Sequence, residues 1–423
     1  MKLNSRSLLL RKILPRFLIT SGILLFIRTG AAIPIPGINH NDLAFAIQQN
    51  LVTKNLVRTF LGDQVFIVGL FTLNIFPAIN ASIIMQFLIG FSPQLSQLQK
   101  EGDFQGRREI SRLTRNITFI LAIIQSIGLT LYLRPVLLNW SIFLAIQLVL
   151  WLAAGAMTVL WLSEIITDYG LGNGTSLLVY TNIVVNLPNF INKVLEDNAK
   201  QTMVMSFVSS TVLAVLLITA LYAIVLLQSA TLQIELVSSK RLNRASARSY
   251  SDSGNASLSY LPLRFNQAGV MPIILTTSFL VIPNYVINLG IFQSLNFLTN
   301  FKFVYWIGYF VLILGFSSFY SSLVLNPKDI ADQLQKSAVK IPGVRPGVQT
   351  IFYLKKEIQR ITFVGATLLA FITILPNFIE STLHITTLNG LSTTSVLILG
   401  GVVLDLKREL SNIYFSEVYT DMY

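Results

Sequence analysis

Long apolar stretches recur along this chain, and they restrict the folds open to it more than any other feature of the sequence. Each is long enough to cross the roughly 30 Å hydrocarbon core of a bilayer. A segment that crosses lipid must satisfy its own backbone polar groups, so we expect helices. Only 12% of the residues are charged, about half the usual share in a soluble protein. We predict an all-α membrane protein with ten transmembrane helices, at Phe17–Ile33, Gly69–Phe91, Ile117–Leu133, Ile142–Leu162, Leu171–Leu187, Val204–Leu227, Val270–Leu289, Phe303–Leu325, Ile361–Ile379 and Thr386–Leu406.

The positions of Lys and Arg predict the orientation of these spans, because both residues are enriched in loops on the inner side of a membrane. When both termini are placed inside, 24 of the 31 Lys and Arg residues fall in inner segments and 7 in outer ones. We therefore expect both termini inside. The formal net charge of +12 is then mostly a property of the inner face.

Two long inner loops stand out, at about Gln228–Arg264 and about Asn326–Arg360. The first has a Ser-Gly-Asn-Ala-Ser centre that predicts flexibility. The second contains QKSAVKIPGVRPGVQT, in which two Pro-Gly pairs flank Arg345. Pro fixes φ and Gly permits tight turns, so we expect Arg345 at the tip of a stiff loop that suits docking to an acidic or nucleic-acid surface. The alternative is that both loops are ordinary positive anchors of the inner face.

The second span and the segment before it are unusual. Thr53–Val68 is amphipathic, charged and too short to span alone. The span that follows contains Asn74, Pro77 and Asn80. Pro removes a helical hydrogen bond, and Asn in lipid is costly unless it faces protein or water. One interpretation is a kinked helix in a bundle. The other is a broken helix that lines a water-filled path, preceded by a half-inserted segment that plugs it.

The stretch DYGLGNGTSLLVY, at Asp168–Tyr180, opens the fifth span. Its three glycines, Gly170, Gly172 and Gly174, imitate a phosphate-binding loop, but no strand precedes them and no ribose-binding acid fits. We instead expect Asn173 to cap a helix, among glycines that allow close packing of helices.

The sequence contains no pattern that predicts catalysis. There is no cysteine, and the two histidines, His40 and His384, are far apart in sequence, so we expect neither a metal site nor a cofactor. Zinc-binding and nucleophile motifs are missing. The spans hold few ionisable side chains, whereas proton-coupled transporters usually need them. The residues favour a passive channel without enzymatic activity. The alternative is a secondary transporter of a small solute, since broken helices also occur there.

Six motifs follow one another along nearly the whole chain: IPIPGIN (Ile33–Asn39), NASIIMQFL (Asn80–Leu88), LQKEGDFQGRREISRLTR (Leu98–Arg115), GLGNGTSLL (Gly170–Leu178), LPLRFNQAGVMP (Leu261–Pro272) and LNPKDIADQLQKSAVKIPGVRPGVQT (Leu325–Thr350). In type and order they resemble the SecY family, the channel subunit of the Sec protein translocase. The chain, which is rich in Ile, Asn and Phe, looks like the plastid-encoded form of this family found in algae.

This resemblance implies two pseudo-symmetric five-helix halves, residues 1–190 and 191–423, with a plug at about 53–68. It implies that unfolded preproteins cross the membrane and that membrane proteins leave through a lateral gate. Thr175 departs from the aliphatic character of the family's pore ring. The implied residues are a pore ring of Ile75, Ile79, Thr175, Val179, Ile274 and Ile398, a plug with Leu56, Phe60 and Val65, a lateral gate with Asn80, Gln125, Asn266 and Ile282, and a motor or ribosome docking surface with Arg241, Arg244, Arg248, Lys336, Lys340 and Arg345.

The resemblance also implies partners and a location. The expected partners are SecE, a SecG-type subunit, the SecA ATPase motor, the ribosome, signal peptides, nascent membrane proteins, a YidC-type insertase and membrane lipids. The expected location is the thylakoid membrane, with both termini in the stroma. The alternative location is a bacterial plasma membrane. For each polar residue of the implied ring and gate, the alternative role is a buried side chain bonded within the helix bundle.

Overall fold

The computed structural model describes residues 2–35, 69–100, 104–134, 140–199, 203–238, 259–267, 269, 271–273, 275–276, 302–383 and 393–420. These residues form a succession of helices and a small sheet. The helices are α1 (Lys2–Ala31), α2 (Phe76–Phe91), α3 (Pro93–Lys100), α4 (Phe104–Tyr132), α5 (Ile142–Tyr169), α6 (Gly174–Ala199), α7 (Met203–Ser229), α8 (Lys302–Val324), α9 (Pro327–Lys336), α10 (Val348–Leu383) and α11 (Thr393–Thr420). The strands are β1 (Thr231–Ser238), β2 (Ser259–Arg264) and β3 (Val339–Lys340).

Nine of the ten predicted spans overlap described helices. Most of the seventh, Val270–Leu289, lies outside the described residues. By length and composition, five helical stretches of the described chain suffice to cross a membrane, or six if α2 and α3 count as one bent span. Two shorter apolar stretches, Gly174–Val185 and Leu217–Ser229, lie in α6 and α7.

The second predicted span is not one continuous helix. Residues 70–75 form turns, and α2 begins at Phe76 with Pro77 in its first turn. A proline there costs no helical hydrogen bond, because the first N–H groups of a helix have no partner within it. Pro77 thus starts the helix instead of kinking it, so the kinked-helix interpretation is wrong at this position. A second break follows at Ser92, where α2 and α3 meet at an angle of 108°.

The two loops that are predicted to lie inside contain a sheet that the sequence analysis did not predict. β1 pairs antiparallel with β2 and with β3, in the order β2-β1-β3. In β1 the apolar residues Leu232, Ile234 and Leu236 alternate with polar ones, which is the period of a half-buried strand. The predicted flexible centre of this loop lies outside the described residues. Within the described residues, the helical fold therefore carries one small sheet, formed by the two loops that are predicted to lie inside.

The chain divides into two compact units, each with an apolar core. The core of one unit joins α1, α2, α5 and α6 around Ile75 and Val159. In the other, α7, α8 and α10 pack around Ile313. The halves predicted from the resemblance, 1–190 and 191–423, stay a prediction. The first unit comprises Met1–Ser210, Thr386–Ser395 and Val402–Tyr423, and the second Thr211–Ile385 and Val396–Gly401.

Candidate functional site

The break before α2 is held by a pair of asparagines. Asn74 has a positive φ of +47°, a left-handed conformation that Asn tolerates better than most residues. Its Oδ1 accepts a hydrogen bond from the backbone N–H of Ile75 at 2.9 Å, and its Nδ2 donates to Oδ1 of Asn182 on α6 at 2.9 Å. The pair ties the non-helical turn to α6. Sequence analysis missed Asn182, although its polar side chain within an apolar span was a signal of the same kind as Asn74.

Three predicted pore-ring residues lie in one apolar cluster of the first unit. Ile75 has only 1% of its surface exposed. Ile79 and Val179 are half-buried against the same cluster, which also contains Ala78 and Leu178. The structure therefore brings together ring candidates from α2 and α6, beside the asparagine pair that joins the two segments.

Thr175 lies in the first turn of α6 and takes part in a helix cap. Oδ1 of Asn173 accepts hydrogen bonds from the backbone N–H of Thr175 at 3.0 Å and from its hydroxyl at 2.7 Å. This contact confirms the predicted cap by Asn173. The hydroxyl of Thr175 is therefore bonded within its own helix turn.

The remaining ring and plug candidates are only partly described. Ile398 is half-buried on α11. Ile274 and the plug residues Leu56, Phe60 and Val65 lie outside the described residues. The complete ring and the plug therefore stay predictions.

The lateral-gate candidates occupy separate environments. Asn80 is half-buried on α2, which packs against α4. On α4, Oε1 of Gln125 is buried without a hydrogen-bond partner among the described residues. Asn266 is buried, and its Nδ2 donates to the backbone oxygen of Gly269 at 2.8 Å, so this amide is bonded locally. Ile282 lies outside the described residues. The gate stays a prediction.

The loop around Arg345 is stiffened by its own backbone. Gly343 and Gly347 have φ values of +77° and +98°, which glycine adopts without the steric cost of a Cβ. The hydroxyl of Thr350 donates to the backbone oxygen of Arg345 at 2.9 Å. The two glycine conformations and this hydrogen bond hold the loop around Arg345 in a defined turn, as the Pro-Gly spacing predicts.

An apolar core beneath the loop fixes it to the sheet and to α10. Ile341, between β3 and the turn, is 4% exposed and belongs to one cluster with Ile234 of β1, Leu263 of β2 and Leu354 of α10. We call this assembly of β1, β2, β3, α9, the Arg345 loop and the start of α10 the inner platform. It is a packed structure and not a loose anchor.

The exposed surface of the inner platform is basic. Lys336, Lys340 and Arg345 are all exposed, and no ion pair between described residues includes Arg345. The start of α10 adds the exposed Lys355 and Lys356. The predicted companions Arg241, Arg244 and Arg248 lie outside the described residues.

An ion pair joins α4 and α5 at ends that the charge distribution assigns to the inner side. The guanidinium of Arg115 contacts both carboxylate oxygens of Glu164, with Nε–Oε1 at 2.9 Å and NH2–Oε2 at 2.8 Å. Two parallel bonds of this kind fix geometry as well as charge. Sequence analysis did not predict this pair, because its two residues lie on different helices and 49 positions apart.

Comparisons with known proteins agree with this arrangement of spans and loops. The family model described as SecY matches residues 69–407. The chain belongs to the SecY family. The protein translocase subunit SecY of Trieres chinensis is 51% identical over 418 residues, which cover 97% of this chain and 98% of that relative. Many other curated SecY relatives come from plastids or cyanobacteria.

Solved structures of low sequence identity share the SecY fold. A structure described as that of a protein conducting channel has a TM-score of 0.63 at 17% identity. The match covers 95% of this chain and 92% of that chain. A chain from the canine ribosome-channel complex of the endoplasmic reticulum has a TM-score of 0.57 at 15% identity, with the same coverage. These matches confirm the predicted SecY-type fold of ten membrane helices.

Proposed function

We propose that this chain is the central protein-conducting subunit of a Sec translocase in the thylakoid membrane, where it moves unfolded preproteins across the bilayer and releases membrane proteins sideways into it. The observation that carries the proposal is the 51% identity to a protein translocase subunit SecY over nearly the full length of both chains. Membership of the SecY family makes the chain a channel component and not an enzyme. The thylakoid location is supported by the plastid and cyanobacterial sources of its relatives.

We assign the narrowest part of the path to the apolar collar that includes Ile75, Ile79 and Val179. A small hydrophobic constriction excludes water and therefore ions, while a passing polypeptide can part its side chains. The tight packing of Ile75 and the asparagine pair beside it support a collar that keeps its shape at rest. Thr175, Ile274 and Ile398 complete the proposed ring.

We assign docking of the SecA motor or the ribosome to the inner platform. Its exposed Lys336, Lys340 and Arg345 present a positive surface, which attracts both acidic protein surfaces and RNA phosphates. The packed core beneath the loop supports this role because a preordered surface loses little entropy on binding. Arg241, Arg244 and Arg248 would extend the same surface. SecE, a SecG-type subunit and a YidC-type insertase are proposed partners on the resemblance alone.

The alternative function, secondary transport of a small solute, is not favoured because the chain belongs to a channel family. For the location, a bacterial plasma membrane is the alternative, since cyanobacterial relatives also match over most of the chain.

Reconstitution tests the proposed function. The chain and a SecE subunit are placed in liposomes of thylakoid lipids with SecA, ATP and an unfolded preprotein. We expect the preprotein to become protected from added protease, and liposomes with the SecE subunit alone serve as the control. Complete digestion of the preprotein in both samples, with the chain correctly inserted, would contradict the proposal.

A further inference from the structure

The glycine-rich turn between α5 and α6 is tied to other helices through its backbone. The N–H of Leu171 donates to the hydroxyl of Thr20 on α1 at 2.9 Å. The N–H of Gly172 donates to Oε1 of Glu409 on α11 at 3.0 Å. Side chains of two other helices thus accept the hydrogen bonds of two neighbouring residues in this turn.

Two further N–H groups of the turn are bonded to side chains closer in sequence. The N–H of Gly174 donates to the hydroxyl of Thr167 on α5 at 2.9 Å, and that of Thr175 donates to Asn173 at 3.0 Å. The first N–H groups of a helix have no partner within the helix. Here side-chain oxygens on α1, α5 and α11 accept hydrogen bonds from backbone N–H groups in the first residue of α6 and in the turn before it.

The glycines in this turn are required by close packing. A Cβ on Gly174 would collide with the backbone oxygen of Ser163. Gly172 has a φ of +80°, and a Cβ there would press against Leu406 of α11. Leu406 precedes Glu409 by three residues, so the two side chains lie within one helical turn of each other on α11. Polar and apolar contacts therefore hold the same part of α11 against the turn.

Glu409 differs from the other acceptors because it carries a charge. A carboxylate near a helix N-terminus interacts favourably with the helix dipole, and a charge-assisted hydrogen bond is about twice as strong as a neutral one. The side chain is half-buried, so water screens it only in part. Of the four acceptors, only Glu409 lies on α11.

We propose that Glu409 is a positioning residue, a latch that holds α11 against the start of α6 while the channel is at rest. α6 carries Thr175 in its first turn and Val179 after it, and α11 carries Ile398 eleven residues before Glu409, about 16 Å along one continuous helix. Both helices therefore bear residues that we assign to the pore ring. This inference rests on the proposed channel function and adds a residue that lies outside the ring.

Single-channel recording in planar bilayers tests the latch, with the chain and its SecE subunit assembled. Glu409→Ala removes the acceptor, and Glu409→Gln keeps an oxygen at the same reach without the charge. Loss of a hydrogen bond to a charged group shifts an equilibrium by about tenfold or more. We expect resting conductance per channel to rise severalfold in Glu409→Ala and to be intermediate in Glu409→Gln, because the neutral hydrogen bond that remains is about half as strong. Lys407→Gln, an exposed neighbour on α11, is the control and should match the unaltered channel.

Other outcomes separate the possible failures. Unchanged conductance per channel in Glu409→Ala, or equal leakage in Ala and Gln variants, overturns the latch. If Glu409→Ala does not assemble, Glu409→Asp keeps the charge but shortens the reach, and it should leak; an Asp variant as tight as the unaltered channel also overturns the latch. Failure of the unaltered chain to transport a preprotein contradicts the channel function itself, whatever the Glu409 variants do.

Discussion

At the scale of single residues, polar side chains in apolar spans show where the fold makes specific contacts. The sequence predicted that Asn74 needs protein or water beside it, and the structure supplies Asn182. It did not predict the partner, because the two residues are 108 positions apart and meet only through tertiary packing. Glu409 and Gly172 are 237 positions apart and were missed for the same reason. Residue type predicted that a contact is needed, whereas packing determines which one forms.

The hydrogen bond between Asn74 and Asn182 should contribute about 0.6 kcal/mol to stability, the average for polar pairs in membrane bundles. Asn74→Gly removes the amide and suits the positive φ, while Asn182→Ala keeps α6 helical. A double-mutant cycle on the free energy of unfolding in mild detergent measures the coupling. Strictly additive effects would show that the pair contributes nothing.

Asn74→Ala separates the backbone from the side chain at the same position. An alanine at position 74 would have to adopt the left-handed backbone conformation, which costs an L-residue roughly 1–2 kcal/mol. We therefore expect Asn74→Ala to be less stable than Asn74→Gly in the same unfolding measurement. Equal stability would mean that the turn before α2 does not require its positive φ.

At the scale of secondary-structure elements, the inner platform shows how far local patterns extend. The two Pro-Gly pairs predicted the stiff turn around Arg345, because proline and glycine act on their own φ angles. The sheet was missed, although β1 shows a clear alternation of apolar and polar residues. β3 has only two residues, and its pairing with β1 joins segments about 100 residues apart. Such a strand is determined by its neighbour and not by its own sequence.

Arg345→Glu should weaken docking of the motor or the ribosome without unfolding the helices. Arg345 is exposed, so its replacement disturbs no core, whereas a reversed charge repels an acidic partner at close contact. We expect about tenfold or greater loss of affinity in a flotation assay with proteoliposomes, and a matching loss of transport. Lys407→Glu, an exposed cation on α11 and outside the inner platform, is the matched control. Normal affinity and normal transport in the Arg345 variant would contradict the docking assignment.

At the scale of the whole molecule, the sequence predicted the class of fold well. Apolar length and charge asymmetry act along the entire chain, so they predicted the membrane helices before any contact was known. The second span was the exception, because Pro77 lies in the first turn of a helix there and residues 70–75 form turns. That break places ring candidates at the junction of a turn and a helix, which no periodicity could show.

Polar replacement in the collar should make the resting channel leak. Ile75→Ser and Ile79→Ser add hydroxyl groups that hold water, and water removes the barrier to ions in a dewetted constriction. We expect higher resting conductance in planar bilayers, and deletion of Thr53–Val68 should also raise it. Phe143→Ser, at a position with 79% exposure on α5, is the control. An unchanged leak in both Ile variants would remove these residues from the ring.

Photo-crosslinking to an arrested preprotein tests the central claim most directly. A photo-reactive amino acid replaces Ile79, which is half-buried in the collar cluster, or Phe143, which is exposed on the side of α5. A preprotein with a folded C-terminal domain is then stalled during transport in thylakoid-lipid liposomes. If the chain conducts proteins through this collar, the stalled preprotein crosslinks at position 79 and not at position 143. Crosslinks at neither position, or at position 143 alone, would show that the polypeptide does not pass the collar.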